Sequence, residues 1–293
     1  MKIAFVVDGQ MGCNGGSKVI LQISNGLIER GHEVALLTHS RKAQISGVPH
    51  QFHPALKRIE YDYKGELPAG FDRYIATHYL TTFPLERSSI PREIKYQFSQ
   101  SYDDWISPDA VATYEFDFVR IANSEWVRAK VHGAFIVKPP FDPAVFYDDR
   151  SERIYDILYI DRDEKVKNNA VGLSICKWLA MAGYKVKIVK HGACTEQEMA
   201  DLYRRSKVYL TTSIQEANPL TPAEALMCGC VPVCRDNEGI REYYNDYIVS
   251  DDSVEHFVDR IQKAVEQRAR FDFSRFSFNT PERAAQQFEQ ALR

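Results

Sequence analysis

Apolar positions along the chain fall into short blocks that alternate with segments of helical spacing. Residues 2–7 (KIAFVV) form the first block. After a glycine-rich loop, apolar residues recur three or four positions apart at Val19, Ile20, Ile23, Leu27 and Ile28. The block predicts a strand buried on both faces, and the spacing predicts an amphipathic helix that Gly31 ends. A strand followed by such a helix is typical of a parallel sheet with crossover connections.

The same alternation continues through the chain. In the first half, strands are predicted at EVALLT, RYIAT, IKYQF and VRIAN, and Ser124 can cap the helix that follows the last. In the second half, strands are predicted at YDILYI, KVKIV, VYLTT and YIVS. Helices are expected from about residue 169, from the capping box Thr195-x-x-Glu198, over 254–268, and after Thr280-Pro281.

A proline-rich segment, residues 137–147 (VKPPFDPAVFY), interrupts this alternation and predicts a domain boundary. We therefore expect one α/β domain at residues 1–147 and a second at 148–293, with the last helix able to pack back on the first domain. Two parallel-sheet domains of similar size predict a cleft between them. Ligands of open parallel sheets bind at the carboxyl ends of the strands, so function is expected there.

Composition narrows the class of protein. With 293 residues, 44% of them hydrophobic and 26% charged, the chain has the make-up of a soluble globular protein of about two domains. A net charge of -3 gives no general electrostatic reason to expect nucleic acid or an anionic membrane as a partner, and local basic patches stay open. The six cysteines form no CxxC pair and no zinc spacing, and the apolar run after Met1 is too short for a signal peptide. These features favour reduced thiols and a location in the cytoplasm.

The stretch EANPLTPAEALMCGCVPV, from Glu216 to Val233, carries the most chemical information. Thr221 is expected to cap a helix with Pro222 at its first position, and Glu224 at the third position can close a capping box. Glu216 then lies on the loop between a strand and this helix. Two carboxylates beside the free N–H groups of a helix start suit a ligand with both hydroxyls and phosphate, such as a sugar nucleotide. Glu224 could equally be only a cap, and Glu216 only a solvated loop residue.

The order and spacing of these residues resemble the retaining glycosyltransferases of family 4. That family has a Glu-x7-Glu motif followed by Glu-Ala, a glycine and Pro-Val, and this chain has Glu216, Glu224-Ala225, Gly229 and 231–233. Further segments resemble the family at GGSKVILQISNGLIERGHEVALLT, IANSEWV and KPPFDPAVF. The resemblance covers nearly the whole chain and implies a GT-B fold, with two facing Rossmann-like domains, parallel sheets and an interdomain cleft.

The resemblance implies roles for individual residues. The implied catalytic residues are His78, Arg162, Lys167 and Glu216. The implied donor-binding residues are Gly15, Gly16, Arg162, Lys167, His191, Glu216, Asn218, Leu220, Thr221 and Glu224. Arg162 and Lys167 would clamp a diphosphate, because charge-assisted hydrogen bonds to anions are strong. Without the family, the same arginine and lysine read as a solvated charge run, the two glycines as an ordinary turn, and His78 as a structural hydrogen-bonding residue.

Three positions depart from the family pattern. Asp161 and Asn168 stand where the family usually has glycine, beside Arg162 and Lys167 respectively. Pro219 also replaces a glycine of many relatives and removes one N–H donor from the loop. The departures place a carboxylate near the expected diphosphate and leave the pair of glutamates unchanged.

The sequence thus predicts a retaining, metal-independent glycosyltransferase of the hexosyltransferase type, with a nucleotide-diphosphate sugar as donor and no cofactor or metal. The acceptor is open among a glycan, a lipid-linked molecule and a protein, and the oligomeric state is open too. Arg41, Lys42, Lys57 and Arg58 could form a basic edge for weak membrane-surface association, or could be solvated surface.

Two other classes of protein stay open. One is a catalytically silent sugar-nucleotide binding protein of the same fold. The other is an NAD(P)-dependent oxidoreductase, suggested by three glycines at 9, 12 and 15, although their spacing is not GxGxxG and no acidic residue ends the second strand.

Overall fold

A computed structural model describes residues 1–8, 11–12, 14–39, 51–104, 106–163 and 165–293. The chain divides into two compact units, Met1–Pro140 with Asn279–Arg293, and Phe141–Phe278. The chain passes from one unit to the other inside the proline-rich segment 137–147, seven residues before the predicted division at 147. The domain limits of the sequence analysis stay a prediction.

The first unit contains a seven-stranded sheet in the order β3-β2-β1-β4-β5-β6-β7, in which neighbouring strands run parallel. Its strands are β1 (Lys2–Val7), β2 (Glu33–His39), β3 (Lys57–Tyr61), β4 (Arg73–Ala76), β5 (Lys95–Ser99), β6 (Val119–Ala122) and β7 (Phe135–Ile136). Its helices are α1 (Gly15–Glu29), α2 (Tyr79–Arg87), α3 (Pro108–Ala112), α4 (Glu125–Val131) and α10 (Pro281–Ala291).

The last helix, α10, belongs to this first unit and packs on α1. A Cβ added at Gly26 of α1 would lie 2.7 Å from the Cβ of Ala285, so only glycine permits this close approach. The ring of Phe288 contacts Phe5 of the central strand, with ring centroids 5.4 Å apart. Glu289 forms ion pairs of 2.6 Å with Arg30 and with Arg293. The C-terminal segment therefore completes the core of the unit that the N-terminus begins.

The second unit contains a five-stranded sheet in the order β12-β11-β10-β8-β9, again with parallel neighbours. Its strands are β8 (Tyr155–Asp161), β9 (Val186–Lys190), β10 (Ser206–Thr211), β11 (Val231–Arg235) and β12 (Ile248–Val249). Its helices are α5 (Asn169–Met181), α6 (Glu196–Arg204), α7 (Leu220–Met227), α8 (Glu238–Arg241) and α9 (Val254–Gln267).

Alternate residues of β8 reach cores on opposite faces of this sheet. Ile157 and Tyr159 join the cluster that α5 and α9 cover, whereas Leu158 joins the cluster that α6 and α7 cover. Burial on both faces explains the continuous apolar blocks of the sequence. The predicted fold class, α/β with two Rossmann-like parallel-sheet domains, is confirmed.

The cysteines and the lengths of the helices can be compared with the predictions of reduced thiols and of a soluble chain. Cys176, Cys194, Cys228, Cys230 and Cys234 are free thiols, and Cys13 lies outside the described residues. Burial raises the pKa of the Cys176 thiol to about 12. Among the residues that the structure describes, no helix is both long enough and apolar enough to cross a bilayer.

Candidate functional site

Four of the predicted donor-site residues lie at the carboxyl edge of the five-stranded sheet. Arg162 directly follows β8, with Lys167 five residues later, His191 directly follows β9, and Glu216 lies on the loop after β10. In a parallel sheet these strand ends share one edge, which brings together residues that are far apart in sequence. The structure joins the four residues as two contacting pairs.

Lys167 and Glu216 form the first pair. The Lys167 ammonium donates to Glu216 Oε1 over 2.8 Å, with side chains only 14% and 20% exposed. The loop that carries Lys167 is fixed to the loop after β10, because the Thr212 hydroxyl donates to the carbonyl of Lys167 at 2.9 Å. Asn168 follows with φ 52°, in the left-handed region that glycine adopts at least cost. Asparagine tolerates this conformation better than most residues, which explains how it stands where the family usually has glycine.

Arg162 and His191 form the second pair, with Arg162 Nη2 and His191 Nε2 2.6 Å apart. A guanidinium only donates, so His191 Nε2 must accept and its proton must reside on Nδ1 in this arrangement. Arg162 Nε is buried and has no hydrogen-bond partner among the described residues. A buried cationic N–H without an acceptor is costly, and a ligand oxygen would relieve that cost.

Asp161, the unexpected carboxylate next to Arg162, is held by neighbouring groups. Asn169 Nδ2 donates to its Oδ1 at 2.7 Å, and Lys190 Nζ lies 3.3 Å from its Oδ2. The buried hydroxyl of Tyr159 donates to Asn169 Oδ1 at 2.8 Å, which orients the amide. The carboxylate therefore has its own cation and hydrogen-bond donor beside the arginine.

The predicted capping box at Thr221 is wrong. Helix α7 begins two residues earlier than predicted, at Leu220, with Pro219 as its N-cap and no side-chain cap hydrogen bond. The Thr221 hydroxyl instead accepts from the buried Tyr209 hydroxyl at 2.9 Å, so it is not available as a cap. The Tyr243 hydroxyl donates a hydrogen bond to the carbonyl of Pro219 at 2.7 Å, so the N-cap residue is held through its carbonyl group.

The charges of both glutamates of the motif influence one tyrosine. Glu224 lies in the second turn of α7 and is 7% exposed, while Glu216 precedes the helix together with Asn218. The pKa of the Tyr243 phenol is raised well above its ordinary value, first by burial and then by nearby groups that include both carboxylates. Both charges therefore lie within electrostatic reach of one side chain, as two carboxylates at a single site would.

Charges from both contacting pairs influence the buried Tyr209. Burial raises the pKa of its phenol, the positive charge of Arg162 lowers that pKa, and the negative charge of Glu216 raises it. Arg162 belongs to one pair and Glu216 to the other, and both shift the pKa of the Tyr209 hydroxyl, which donates a hydrogen bond to Thr221. The arrangement combines cations suited to phosphate with carboxylates suited to sugar hydroxyls.

The backbone of Glu216 is fixed by the start of α8. A Cβ added at Gly239 would lie 2.3 Å from the carbonyl oxygen of Glu216 and 2.8 Å from the carbonyl carbon of Ala217. Asn237 caps α8 by accepting from Ile240 N at 3.0 Å, and it also donates to the carbonyl of Ser213 at 3.0 Å. The absence of a side chain at Gly239 lets the helix start support the Glu216 loop directly.

The remaining predicted residues belong to the first unit. Gly15 and Gly16 open α1, where Asn14 accepts from Ser17 N at 2.8 Å. His78 lies beyond the carboxyl end of β4 and is the N-cap of α2, with its Nδ1 3.4 Å from Leu80 N. His78 therefore has the structural role that the sequence left open beside the catalytic one, and its contact with a donor stays a prediction.

The basic edge that the sequence suggested is incomplete among the described residues. Arg41 and Lys42 lie outside them. Lys57 pairs with Glu33 at 3.1 Å, and Arg58 lies over the ring of Phe52. Gly9 of the three-glycine pattern also lies outside the described residues.

Sequence reasoning missed Tyr209, Tyr243, Asn169 and Gly239. Each of these residues supports or orients a predicted site residue, and none of them belongs to a recognised sequence motif. Asn237-Glu238-Gly239 could have been read as a helix start after a strand, since asparagine is a preferred N-cap. No group of three or more metal-ligating side chains occurs within the described part of the chain.

Comparison with known proteins gives a family match over most of the second unit and the start of the C-terminal helix. Residues 156–285 match the family described as "Glycosyl transferases group 1". The match includes the strands, helices and loops that carry Arg162, Lys167, His191, Glu216 and Glu224. No curated protein sequence matches the chain significantly.

Solved structures of similar fold extend over the whole chain. Sucrose-phosphate synthase from Thermosynechococcus elongatus is 12% identical, with a TM-score of 0.72 and coverage of 100% of this chain and 94% of that one. The lipopolysaccharide outer core galactosyltransferase WaaB is 14% identical, with a TM-score of 0.69 and coverage of 100% and 99%. S. aureus TarM, solved with UDP and α-GlcNAc-glycerol, is 9% identical, with a TM-score of 0.71 and coverage of 99% of both chains. These likenesses establish the GT-B fold.

Proposed function

We propose that the protein is a retaining, metal-independent glycosyltransferase that moves a sugar from a nucleotide-diphosphate sugar to an acceptor. Arg162 and Lys167 hold the diphosphate. Glu216 accepts hydrogen bonds from hydroxyls of the donor sugar, and Glu224 accepts from those of the ribose. His191, Asn218, Leu220 and Thr221 complete the donor site on the second unit.

The observation that carries the proposal is the union of two cation-containing pairs at one sheet edge, with a buried Arg162 N–H that lacks an acceptor. When the bond to the sugar breaks, negative charge develops on the departing diphosphate. Two fixed cations at that position stabilise the charge, which is usually the largest catalytic contribution. They supply the role that a divalent ion has in other transferases, and metal independence rests on this reasoning.

The Lys167–Glu216 pair can orient the bound donor. The ammonium donates three hydrogen bonds, so it can keep its contact with Glu216 while it binds a phosphate oxygen. The second carboxylate oxygen of Glu216 then accepts from the sugar. Diphosphate and sugar are thereby aligned through one ion pair.

The group 1 family match supports glycosyl transfer, and several structures of similar fold are sugar transferases, some solved with UDP. The resemblance of the Glu-x7-Glu segment is the ground for proposing retention. For the acceptor we keep the three classes of glycan, lipid-linked molecule and protein. Gly15, Gly16 and His78 are proposed to contact the donor from the first unit.

A thermal-shift panel of UDP, GDP, ADP, dTDP and their sugar conjugates tests the donor. A ligand at 100 times its dissociation constant adds about 2.7 kcal/mol, which raises Tm by several degrees for a chain of this size. One nucleotide is expected to shift the wild type, and its sugar conjugate to add a further shift that Glu216→Gln loses. Glu255→Gln, an exposed change on α9, is the matched control and should behave as wild type.

Three results separate the alternatives. We expect donor hydrolysis or sugar transfer to continue when a metal chelator is present. We also expect NMR to show that the product keeps the anomeric configuration of the donor. A sugar-nucleotide shift without turnover under any acceptor would make the protein a silent binder. A shift with NAD or NADP alone would make it an oxidoreductase.

A further inference from the structure

The outer face of α5 differs from that of α9 in the same unit. Leu173, Trp178 and Met181 on this helix are 36%, 45% and 81% exposed, and Lys177 is its only charged residue. Helix α9 of the same unit exposes Glu255, Asp259, Arg260, Lys263 and Glu266 instead, which is the usual surface of a soluble helix. Helix α5 therefore leaves apolar area in water that its neighbour does not.

The neighbouring edge strand extends this apolar area. Ile188 of β9 is 43% exposed and pairs in register with Tyr159, whose side chain packs under α5. Cross-strand partners point to the same side of a sheet, so Ile188 lies on the side that α5 covers. Four of the ten large apolar side chains exposed in the described chain fall within residues 173–188. Such clustering is typical of an interaction surface, whereas single exposed apolar residues are ordinary.

The stretch of sequence that contains this area is rich in lysine. From Lys165 to Thr195 the sequence contains six lysines and no aspartate or glutamate, in a chain whose net charge is -3. Two of these lysines already have carboxylate partners, Lys167 with Glu216 at 2.8 Å and Lys190 with Asp161 at 3.3 Å, and Asp156 is paired with Lys207 at 2.8 Å. Attraction of an anionic partner would therefore be local to this face, because charges farther away than about 8 Å are screened at physiological salt.

We propose that the α5 face, defined as Leu173, Lys177, Trp178, Met181 and Ile188 with Lys185 beside it, binds the surface of an anionic lipid bilayer. Tryptophan and aliphatic side chains flanked by lysines are typical of helices that lie in the membrane interface. Protein interfaces, in contrast, are depleted in lysine. The lysine stems can cover apolar surface while their ammonium groups reach lipid phosphates.

This surface is independent of the proposed transferase activity and of the basic edge in the first unit. It lies on α5 and β9 of the second unit, and it would hold the protein at a membrane whatever its acceptor. Binding would be peripheral, since the helix lies along the interface and does not cross the bilayer.

Vesicle co-sedimentation tests the proposal directly, with phosphatidylcholine vesicles and with vesicles that contain about one third phosphatidylglycerol. The intact chain is expected to bind only the anionic vesicles, and binding should weaken when salt rises from about 0.1 M to about 1 M, which shortens the Debye length from about 10 Å to about 3 Å. Lys177→Gln/Lys185→Gln should bind about 25-fold more weakly, because each lysine near an anionic surface contributes about fivefold. Arg260→Gln/Lys263→Gln on α9 is the control with the same change of charge and should bind as wild type.

The apolar part of the contact has its own readout. Trp178→Ser/Met181→Ser should keep its Tm, because both side chains are exposed, and should bind anionic vesicles at least about tenfold more weakly. In a Trp105→Phe/Trp126→Phe chain, Trp178 is the only indole, and its emission should shift to shorter wavelength with anionic vesicles. Equal vesicle binding by wild type and Trp178→Ser/Met181→Ser would overturn the proposal. So would self-association that this variant abolishes without any lipid binding, which would assign the face to a second copy of the chain.

Discussion

Gly239→Ala is the sharpest test of how Glu216 is positioned. The new methyl group would lie 2.3 Å from the Glu216 carbonyl oxygen and 2.6 Å from its carbonyl carbon. Ordinary contact between such atoms needs about 3.5 Å, so the backbone of Glu216 or the start of α8 must move by about 1 Å. Both contacting atoms are backbone, and no side chain can rotate away to relieve the overlap.

The magnitude follows from this geometry. Forcing a methyl group into a packed site costs about 1–3 kcal/mol, and alanine recovers part of that through its better helix propensity. We therefore expect Tm to fall by several degrees at most. A displacement of about 1 Å at a positioned group can cost about 100-fold in function. The loss should be largest in recognition of the sugar, because Glu216 is displaced directly, whereas the backbones of Arg162 and Lys167 belong to the loop between β8 and α5.

Isothermal titration with the nucleoside diphosphate and with its sugar conjugate separates these effects. In wild type the sugar conjugate is expected to bind more tightly, and in Gly239→Ala this advantage should fall by about 10- to 100-fold while nucleoside diphosphate affinity changes little. Gly229→Ala is the matched control. Its Cβ would lie 2.4 Å from Asp148 Oδ2 at φ 70°, so it should destabilise the same unit and retain the sugar advantage. Equal losses for both ligands, or an unchanged sugar advantage at a lowered Tm, would refute the positioning argument.

Three further predictions follow from contacts already described. Lys190→Ala should weaken nucleoside diphosphate binding, because it leaves Asp161 without its cation beside the phosphate site, and Asp161→Asn in the same chain should restore the affinity measured by titration. Hydrogen bonds from two arginines, with that from Arg293 the stronger, hold the pKa of Glu289 at about 2, below its ordinary 4.5. A depressed pKa stabilises the fold above pH 4.5 and less as pH falls toward 2, so Glu289→Gln should lower Tm at pH 7 and the difference should vanish over that window; a constant difference would contradict it. His78→Ala should cost about 0.5–2 kcal/mol of unfolding free energy by loss of the α2 cap, and His78→Asn should keep Tm while testing the imidazole in donor binding.

Local sequence signals were usually sufficient to predict a strand that is buried or a helix that is capped by its own residues. Every strand predicted from an apolar block is present, and the capping box at Thr195 and Glu198 forms as expected. Strand β11 (VPVCR) was missed although it is apolar and buried, and its Pro232 argues against a central strand. Other missed elements have weaker signals. Strand β3 (KRIEY) is mostly charged, β7 has two residues, and α2 contains Pro84, which argues against a helix.

The site itself was predictable only as a set of residues. The order of the motif indicated Arg162, Lys167 and Glu216, but their pairing depends on strand order, and Lys167 and Glu216 are 49 positions apart. The error at Thr221 has the same origin. Its hydroxyl forms a hydrogen bond with Tyr209 on a neighbouring strand, and a long-range contact overrides a local capping pattern.

The three departures from the family pattern bear on whether the donor site is intact. A decaying site would be expected to leave such substitutions unsupported, with strained backbone or uncompensated charge. Here Asp161 has Asn169 and Lys190 as partners, and the carbonyl of Pro219 accepts from Tyr243. Asn168 adopts the positive φ that its position needs. The buried Nδ2 of Asn168 has no hydrogen-bond partner among the described residues, so only Asp161 and Pro219 are fully supported. The cation pairs and the two carboxylates are nevertheless present, which favours a working transferase over a silent relative.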